Sequence, residues 1–176
     1  MPRKLFALLL CLIPGFAGVA AAQTPAASPI LVLPFDNPTQ EARLAWMREG
    51  TSILLTELLA ASGEPVIERD DRLEAFDRLQ LPASAALSRA STVRVGQAVG
   101  ASMVISGTIA MPSDQLVVKA RVVRLDSGRL LPEVEATGPL SNMFGVFGRL
   151  AQRIRQSEAP QPPLGERLPP TPQVFE

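Results

Sequence analysis

An unbroken apolar run at residues 30–33, followed by a turn, constrains the fold of this chain more than any other feature. The run, ILVL, is typical of a strand buried on both faces, because a half-exposed strand alternates apolar and polar residues. We therefore expect a central strand. Residues 36–39, DNPT, indicate a turn, since the residue before a proline avoids helical dihedrals.

A long amphipathic helix is predicted from Glu41 to the region of Gly63, where a glycine ends it. Residues 65–69, PVIER, then predict a second strand. Together these segments predict a β-α-β unit. The helix has apolar residues at helical spacing (Leu44, Met47, Leu54, Leu55, Leu58) and polar residues on its other faces (Glu49, Ser52, Thr56, Glu57).

Alternating residues predict antiparallel strands later in the chain. Residues 103–111 carry large apolar side chains at most odd positions, and residues 116–122 place Lys119 and Arg121 opposite an apolar face. Residues 112–114 and 126–128 are turns between them, the second with Gly128. Residues 130–136 are expected to return as a strand, and its Glu133 and Glu135 indicate a solvated edge.

Three further helices are predicted. Asp70 or Asp71 is expected to cap the first, with Leu73, Phe76 and Leu79 on its apolar face. Residues 92–99 predict the second, whereas residues 84–89 are left open between a helical turn and a loop. Ser141 or Asn142 is expected to cap the last. Its apolar stripe comprises Met143, Phe144, Phe147, Leu150, Ala151 and Ile154, and arginines follow near its C-terminus.

The predicted organisation is a signal peptide at 1–22, a linker at 23–28, one domain at 29–157 and a proline-rich disordered tail or linker at 158–176. A basic start, a short apolar run and three alanines before Gln23 indicate a cleavable signal rather than an uncleaved anchor. Lipidation of Cys11 is not expected, because Leu10 is too large for the preceding position. The fold class is α/β (α+β): a mixed sheet with a β-α-β start, antiparallel β-hairpins and a C-terminal helix.

Familiar catalytic chemistry is absent from the sequence that follows the signal. The chain has no histidine and no tyrosine, and its one cysteine, Cys11, would leave with the signal. This composition excludes histidine-based and cysteine-based nucleophilic sites and Cys/His zinc sites. No phosphate-binding loop or dinucleotide fingerprint is present either. We predict no enzyme activity, no catalytic or metal-binding residues and no cofactor.

Carboxylates remain as candidates for acid/base or metal chemistry at Glu68, Asp70 and Asp71, but a helix cap is the favoured interpretation. Loss of Arg3 and Lys4 leaves 15 basic residues against 17 acidic ones, a net charge of about minus two. Nothing in this balance predicts a nucleic-acid partner.

The predicted contact site for a partner or ligand comprises Phe35, Asp36, Asn37 and Trp46. Ligands of open α/β sheets tend to bind beyond the carboxyl ends of strands, where Asp36 lies. A plain turn at Asp36 and Asn37, and packing of Trp46 over the strand end, are the alternatives. The proline-rich segment and the arginines of the last helix are interpreted as a linker and a solvated helix end.

Several motifs occur in a fixed order over roughly residues 29–140: LVLPFDN at 31–37, LAWM at 44–47, VGASMVISGTI at 99–109, residues 117–124 and LDSGR at 125–129. Together they resemble the TolB amino-terminal-like domain. In that family an apolar opening strand ends in a Pro-Phe-x-Asn pattern, a Gly-containing turn leads into a strand, and a later strand ends in an Asp-x-x-Gly hairpin.

The resemblance implies a mixed α/β, non-catalytic module of exported or envelope proteins. Related folds occur in curli-secretion lipoproteins, in lipoprotein activators of penicillin-binding proteins and in flagellar envelope lipoproteins. Those relatives usually carry a lipidated cysteine after the signal, whereas this chain has Gln23, which argues against outer-membrane anchoring and pore formation. Other relatives continue into tetratricopeptide repeats, and residues 170–176 resemble the linker before such repeats.

The favoured function is a non-enzymatic, periplasmic protein-interaction or scaffolding module of the bacterial cell envelope, as the amino-terminal part of a tetratricopeptide-repeat protein. Its partners would be envelope proteins, and no stable membrane anchor is expected after signal cleavage. The alternative is a periplasmic sensory domain that binds a small molecule at the edge formed by Asp36 and Trp46. A carboxylate-based enzyme is the least favoured function.

Overall fold

The computed structural model describes residues 28–83 and 85–158. Short 3-10 turns occur at Ala42–Leu44, Pro112–Asp114 and Leu140–Asn142. The helices are α1 (Met47–Ala61), α2 (Arg69–Arg78), α3 (Arg89–Ala98) and α4 (Met143–Glu158), and the strands are β1 (Ile30–Val32), β2 (Met103–Ala110), β3 (Gln115–Arg124) and β4 (Val134–Pro139).

The strands form one mixed sheet in the order β1-β2-β3-β4. β1 runs parallel to β2, with Ile30 opposite Met103 and Val32 opposite Ile105. β2, β3 and β4 then pair as two successive antiparallel hairpins. The mixed α/β class, the hairpins and the C-terminal helix are therefore confirmed, and β4, which carries Glu135, is an edge strand as predicted.

Helices cover both faces of the sheet and create two apolar cores. On the α1/α4 face, Leu55, Leu59, Phe147 and Leu150 pack with alternate strand residues such as Ile105. On the α2/α3 face, a smaller core holds Leu31, Leu33, Ala75, Phe76, Val95, Ala101 and Val104. β1 contributes to both cores, which explains why its sequence is continuously apolar. The expectation of a central strand was nevertheless wrong, because β1 is the first strand in the sheet order and has only a single bridge, from Ile30 to Val66, on its outer side.

The strand predicted at residues 65–69 is wrong, and the strand predicted at residues 130–136 is present but begins later, at Val134. Val66 makes a single parallel bridge to Ile30, and the chain enters α2 three residues later. Leu130 likewise makes one bridge, to Val123, before β4 begins at Val134. Pro65 precedes the first bridge and Pro132 lies two residues after the second, and a proline nitrogen cannot donate the hydrogen bond that would extend a ladder.

The helices depart from the sequence pattern in several details. The helix predicted from Glu41 is a 3-10 turn followed by α1 from Met47, and Ser52 on α1 is buried although we expected it on an outer face. Glu68, without a side-chain capping bond, precedes α2 in place of the predicted aspartate cap. Phe144, predicted in the apolar stripe of α4, is 66% exposed, while Val146 is buried.

Helix α3 begins at Arg89, three residues before the predicted start, because Ser88 caps it by accepting a hydrogen bond from the Ser91 amide over 3.1 Å. The predicted signal peptide, the linker up to residue 27 and the proline-rich segment from residue 159 lie outside the described residues. Within 28–83 and 85–158, no helix has both the length and the apolar character that crossing a membrane requires.

Candidate functional site

Asp36 is held beyond the carboxyl end of β1 by main-chain bonds to β2. Its amide donates to the Gly107 carbonyl over 2.9 Å, and its carbonyl accepts from the Ile109 amide over 2.8 Å. Its carboxylate forms an ion pair with Arg48 at 3.4 Å and remains partly exposed. Asp36 therefore lies beyond a strand end, as predicted, and its carboxylate is paired with Arg48 of α1.

Asn37 organises the turn that follows. Its Oδ1 accepts from the Glu41 amide over 3.2 Å and from the Thr39 hydroxyl over 3.1 Å. Its Nδ2 donates to the Glu41 carbonyl over 2.8 Å. The side chain is therefore occupied within the turn, which fits the turn interpretation of this residue.

Phe35 is fully buried on the α1/α4 face of the sheet. Its ring covers Gly107, where an added Cβ would lie 2.5 Å from Phe35 Cε2. Phe35 is consequently a core residue, and a partner has no access to it in this structure. Phe35 supports the loop from the core, whereas Asp36, Asn37 and Trp46 are the members of the predicted site with solvent access.

Trp46 immediately precedes α1, and 58% of the residue is exposed. The indole ring lies beside Gly50 on α1 itself, and its exposure favours a partner contact over the alternative of packing over the end of β1. Ile53, seven residues further along, is 42% exposed and shares this helical face. Trp46 and Ile53 form what we call the α1 surface.

A separate groove of about 270 Å³ opens on the α2/α3 face, where α3 leaves part of the sheet uncovered. Asp36 lies at one end of it, but Trp46 is not among the residues that line it. The floor comes from Ser106 and Thr108 of β2 and from Lys119, Arg121 and Val123 of β3. The wall comes from Arg89, Thr92 and Val93 of α3. We call this cavity the sheet groove.

Ion pairs neutralise most of the charge along the sheet groove. Arg121 Nε lies 2.9 Å from Glu133 Oε2, and Lys119 Nζ lies 3.3 Å from Glu135 Oε2. Arg89 makes no ion pair within the part of the chain that the structure describes. The sequence analysis did not identify this groove, although the polar Ser106 and Thr108, alternating with apolar residues on β2, signalled a sheet face without a full apolar cover.

Arg72 of α2 is a second feature that the sequence analysis missed, because it is 3% exposed despite its charge. Its Nη1 donates to the Val32 carbonyl over 3.1 Å and to the Ser52 hydroxyl over 2.7 Å, and its Nη2 donates to the Glu49 carboxylate. Burial lowers the pKa of the Arg72 guanidinium, and the Glu49 carboxylate opposes that shift. Arg72 joins β1, α1 and α2, which is a structural role.

The carboxylates considered for acid/base or metal chemistry lie at the N-terminal end of α2. Asp70 and Asp71 are exposed in the first turn of α2, and Asp70 lies 3.9 Å from Arg69. Among residues 28–83 and 85–158, no three histidine, cysteine or acidic side chains are grouped so that they could hold a metal ion.

Among known proteins, the chain is similar only to solved structures. No family model matches the chain, and no curated protein matches it. TolB from Acinetobacter baumannii is similar with a TM-score of 0.51 and 19% identity, over 74% of this chain and 28% of that one. Lipoprotein GNA1162 from Neisseria meningitidis is similar with a TM-score of 0.49 and 19% identity, over 76% of this chain and 99% of that one. The LpoB C-terminal domain from Salmonella enterica is similar with a TM-score of 0.48 and 13% identity, over 68% of this chain and 87% of that one.

At these identities the similarity concerns the fold alone. The match to TolB supports the TolB-like fold that the motifs at residues 31–37 and 99–109 predicted. The chain spans little more than a quarter of that TolB chain.

Proposed function

We propose that this chain is a non-enzymatic protein-interaction module of the bacterial cell envelope, exported to the periplasm. The TolB-like fold supports the proposal, as does the absence of histidine and tyrosine from the chain. The predicted signal peptide supplies the route of export. The partners in this proposal are envelope proteins.

The observation that carries this proposal is the exposure of the α1 surface. Trp46 and Ile53 present apolar side chains on one outer face of α1, while the opposite face of the helix packs in the core. Tryptophan is among the residues that contribute most to binding energy at protein interfaces. An exposed indole beside an aliphatic side chain therefore favours protein binding over catalysis.

Affinity capture tests the proposal. The mature chain, residues 23–176, is immobilised and exposed to envelope extract, and bound proteins are identified by mass spectrometry. The double variant Trp46→Ser, Ile53→Ser removes the α1 surface, and Phe144→Ser removes an equally exposed apolar side chain from α4 as a matched control. Circular dichroism verifies that both variants are folded.

We expect the wild type and Phe144→Ser to capture the same envelope protein and the double variant to lose it. Equal capture by all three proteins would show that the α1 surface is not the contact. If the wild type retains no specific envelope protein, the interaction proposal is wrong.

The finer parts of the proposal have their own tests. Export with cleavage after Ala22 predicts that the periplasmic protein begins at Gln23 when its N-terminus is sequenced. An amino-terminal position before tetratricopeptide repeats predicts that the gene continues into helical repeats, and a downstream sequence without them in either frame would refute it.

A periplasmic sensory domain that binds a small molecule is the second candidate function. The sheet groove favours it, because a concave site lined by both polar and apolar side chains is typical of small-ligand binding. Asp36, a member of the predicted contact site, lines the groove. Trp46 does not line it, and residues of α3 and β3 form the remaining walls.

A further inference from the structure

We propose that the sheet groove binds a small organic anion, a carboxylate or a phosphate ester with a short apolar body, in contact with Arg89 and Thr92. This inference rests on the second candidate function and is independent of the α1 surface. It follows from unused hydrogen-bonding groups, from the charge of the groove and from its size.

Thr92 provides the first argument. The residue lines the groove and is only 6% exposed, yet its hydroxyl forms no hydrogen bond within residues 28–83 and 85–158. A threonine hydroxyl in a helix can bond to the carbonyl four residues earlier, but here the Thr92 amide is the group that bonds to the Ser88 carbonyl. A threonine that lines a cavity and whose hydroxyl makes no bond within the protein has a donor and an acceptor available to a ligand or to solvent.

Ser106 and Thr108 extend the same pattern across the floor. Both hydroxyls lie in the groove, and neither makes a hydrogen bond within the described part of the chain. With Thr92 they give the groove three hydroxyl-bearing lining residues, one on α3 and two on β2. Each hydroxyl can donate one hydrogen bond, so this lining suits a ligand group with several acceptor oxygens.

The charged residues that line the groove favour an anionic ligand over a cationic one. Arg89, Lys119 and Arg121 line it together with two carboxylates, Asp36 and Glu133. Asp36 is paired with Arg48 at 3.4 Å and Glu133 with Arg121 at 2.9 Å.

Since Lys119 is also paired, Arg89 keeps the unneutralised charge of the groove. Arg89 is the first residue of α3, where the helix dipole adds positive potential. An anionic group therefore finds both a guanidinium and a helix N-terminus at this end of the groove.

Apolar residues and the small volume define the rest of the ligand. Leu33, Val93 and Val123 line the groove beside the hydroxyls, so the ligand body meets aliphatic surface. A cavity of about 270 Å³ lies just below the range of roughly 300–1,000 Å³ for drug-sized ligands. The groove thus fits a short organic acid better than a folded partner.

Nuclear magnetic resonance titration of the mature chain tests this site. Amide shifts of ¹⁵N-labelled protein are followed with sodium hexanoate, with inorganic phosphate and with hexylammonium chloride, which has the same apolar body but the opposite charge. We expect saturable shifts at Arg89, Thr92, Ser106 and Thr108 with at least one of the two anions and none with hexylammonium. Which anion binds distinguishes a carboxylate from a phosphate group.

Variants locate the contact. Arg89→Gln and the isosteric Thr92→Val should each weaken binding, Arg89→Gln by roughly tenfold because a charge-assisted bond is lost. Arg94→Gln removes the same charge from α3 at an exposed position outside the groove and should leave affinity within about twofold.

Linear, non-saturating shifts with both anions, equal effects of hexylammonium, or equal weakening by Arg94→Gln would overturn the proposal. None of these results would alter the capture experiment, because the Trp46 and Ile53 variants do not touch the groove.

Discussion

Arg149 of α4 donates a hydrogen bond from Nη2 to the main-chain carbonyl of Thr137 on β4, over 2.9 Å. Arg153, one turn later, donates from Nη1 to the carbonyl of Glu135. Residues four apart on a helix are separated by about 6 Å and residues two apart on a strand by about 6.8 Å. The two guanidinium groups therefore match two carbonyls that point the same way from the edge strand.

These arginines should protect the sheet edge against pairing with a second chain. A free row of carbonyls on an edge strand is a template for a further strand. We expect Arg149→Ala, Arg153→Ala to remain folded, because each exposed bond contributes no more than about 1 kcal/mol. We also expect the variant to self-associate as its concentration rises, as measured by analytical ultracentrifugation.

The control for edge protection removes two positive charges elsewhere. Arg155→Ala, Arg94→Ala leaves β4 covered, because Arg155 pairs with Glu64 at 3.1 Å and Arg94 lies on α3. This control should stay monomeric under the same conditions. If the Arg149, Arg153 variant is also monomeric at every concentration, the two arginines do not protect the edge.

Two arginines that share one carboxylate should differ strongly in their effect on stability. Arg72 is buried and also bonds Val32 and Ser52, whereas Arg69 is exposed and only pairs with acidic side chains, including Glu49 at 2.8 Å. Arg72→Ala leaves buried acceptors unsatisfied and should lower the free energy of unfolding by about 2–4 kcal/mol. Arg69→Ala should lower it by less than about 1 kcal/mol.

Urea denaturation of both variants measures this difference. Equal losses for Arg69→Ala and Arg72→Ala would mean that only the shared ion pair with Glu49 matters, and that the bonds to Val32 and Ser52 contribute nothing.

Local pattern was enough to predict much of the sheet. The burial of residues 30–33 on both faces and the alternation on β2 and β3 were interpreted correctly, because the spacing of apolar residues along a strand reflects which faces are buried. The expected central position of β1 was wrong, since strand order depends on pairing that the local pattern does not contain. The local sequence pattern failed to predict burial where a contact with a distant part of the chain determines it. The sequence of α2 predicts a surface position for Arg72, because its burial depends on Val32, Ser52 and Glu49, which lie 20 or more residues away.

The candidate site was predictable only in part for the same reason. Asp36 follows from a general rule about strand ends. The groove depends on how α3 packs relative to Ser106 and Thr108 of β2, and the spacing of apolar residues in the sequence does not predict that packing. Trp46 was placed near the helix start correctly, but sequence spacing cannot show whether a side chain beside an apolar stripe is covered by another element.

Two glycines should respond in opposite directions to alanine. At Gly107 on β2 a Cβ would overlap the Lys119 carbonyl oxygen and the Phe35 ring, so Gly107→Ala should cost about 3 kcal/mol or prevent folding. At Gly148 in α4 a Cβ meets no atom within 4 Å, so Gly148→Ala should raise stability by up to about 1 kcal/mol. Thermal unfolding followed by circular dichroism measures both, and a neutral Gly107→Ala would contradict the packing of Phe35 against β2.

Asp126 should make the stability of the protein depend on pH between about 4 and 2. Arg124 donates to Asp126 from Nε over 3.2 Å and from Nη2 over 2.6 Å, and these bonds lower the pKa of the carboxyl from 3.8 to about 2. Because the folded state binds this proton more weakly than the unfolded state, the contribution is complete above about pH 4 and is lost as the pH falls to about 2.

Asp126→Asn should therefore flatten the dependence of the free energy of unfolding on pH in that window, as measured by urea denaturation at a series of pH values. The effect should be small, since the carboxylate is exposed. Asp77→Asn, which removes an exposed carboxylate that has no ion pair within the described residues, should retain the wild-type slope. A slope for Asp126→Asn equal to that of the wild type between pH 2 and 4 would show that the bonds to Arg124 do not persist in solution.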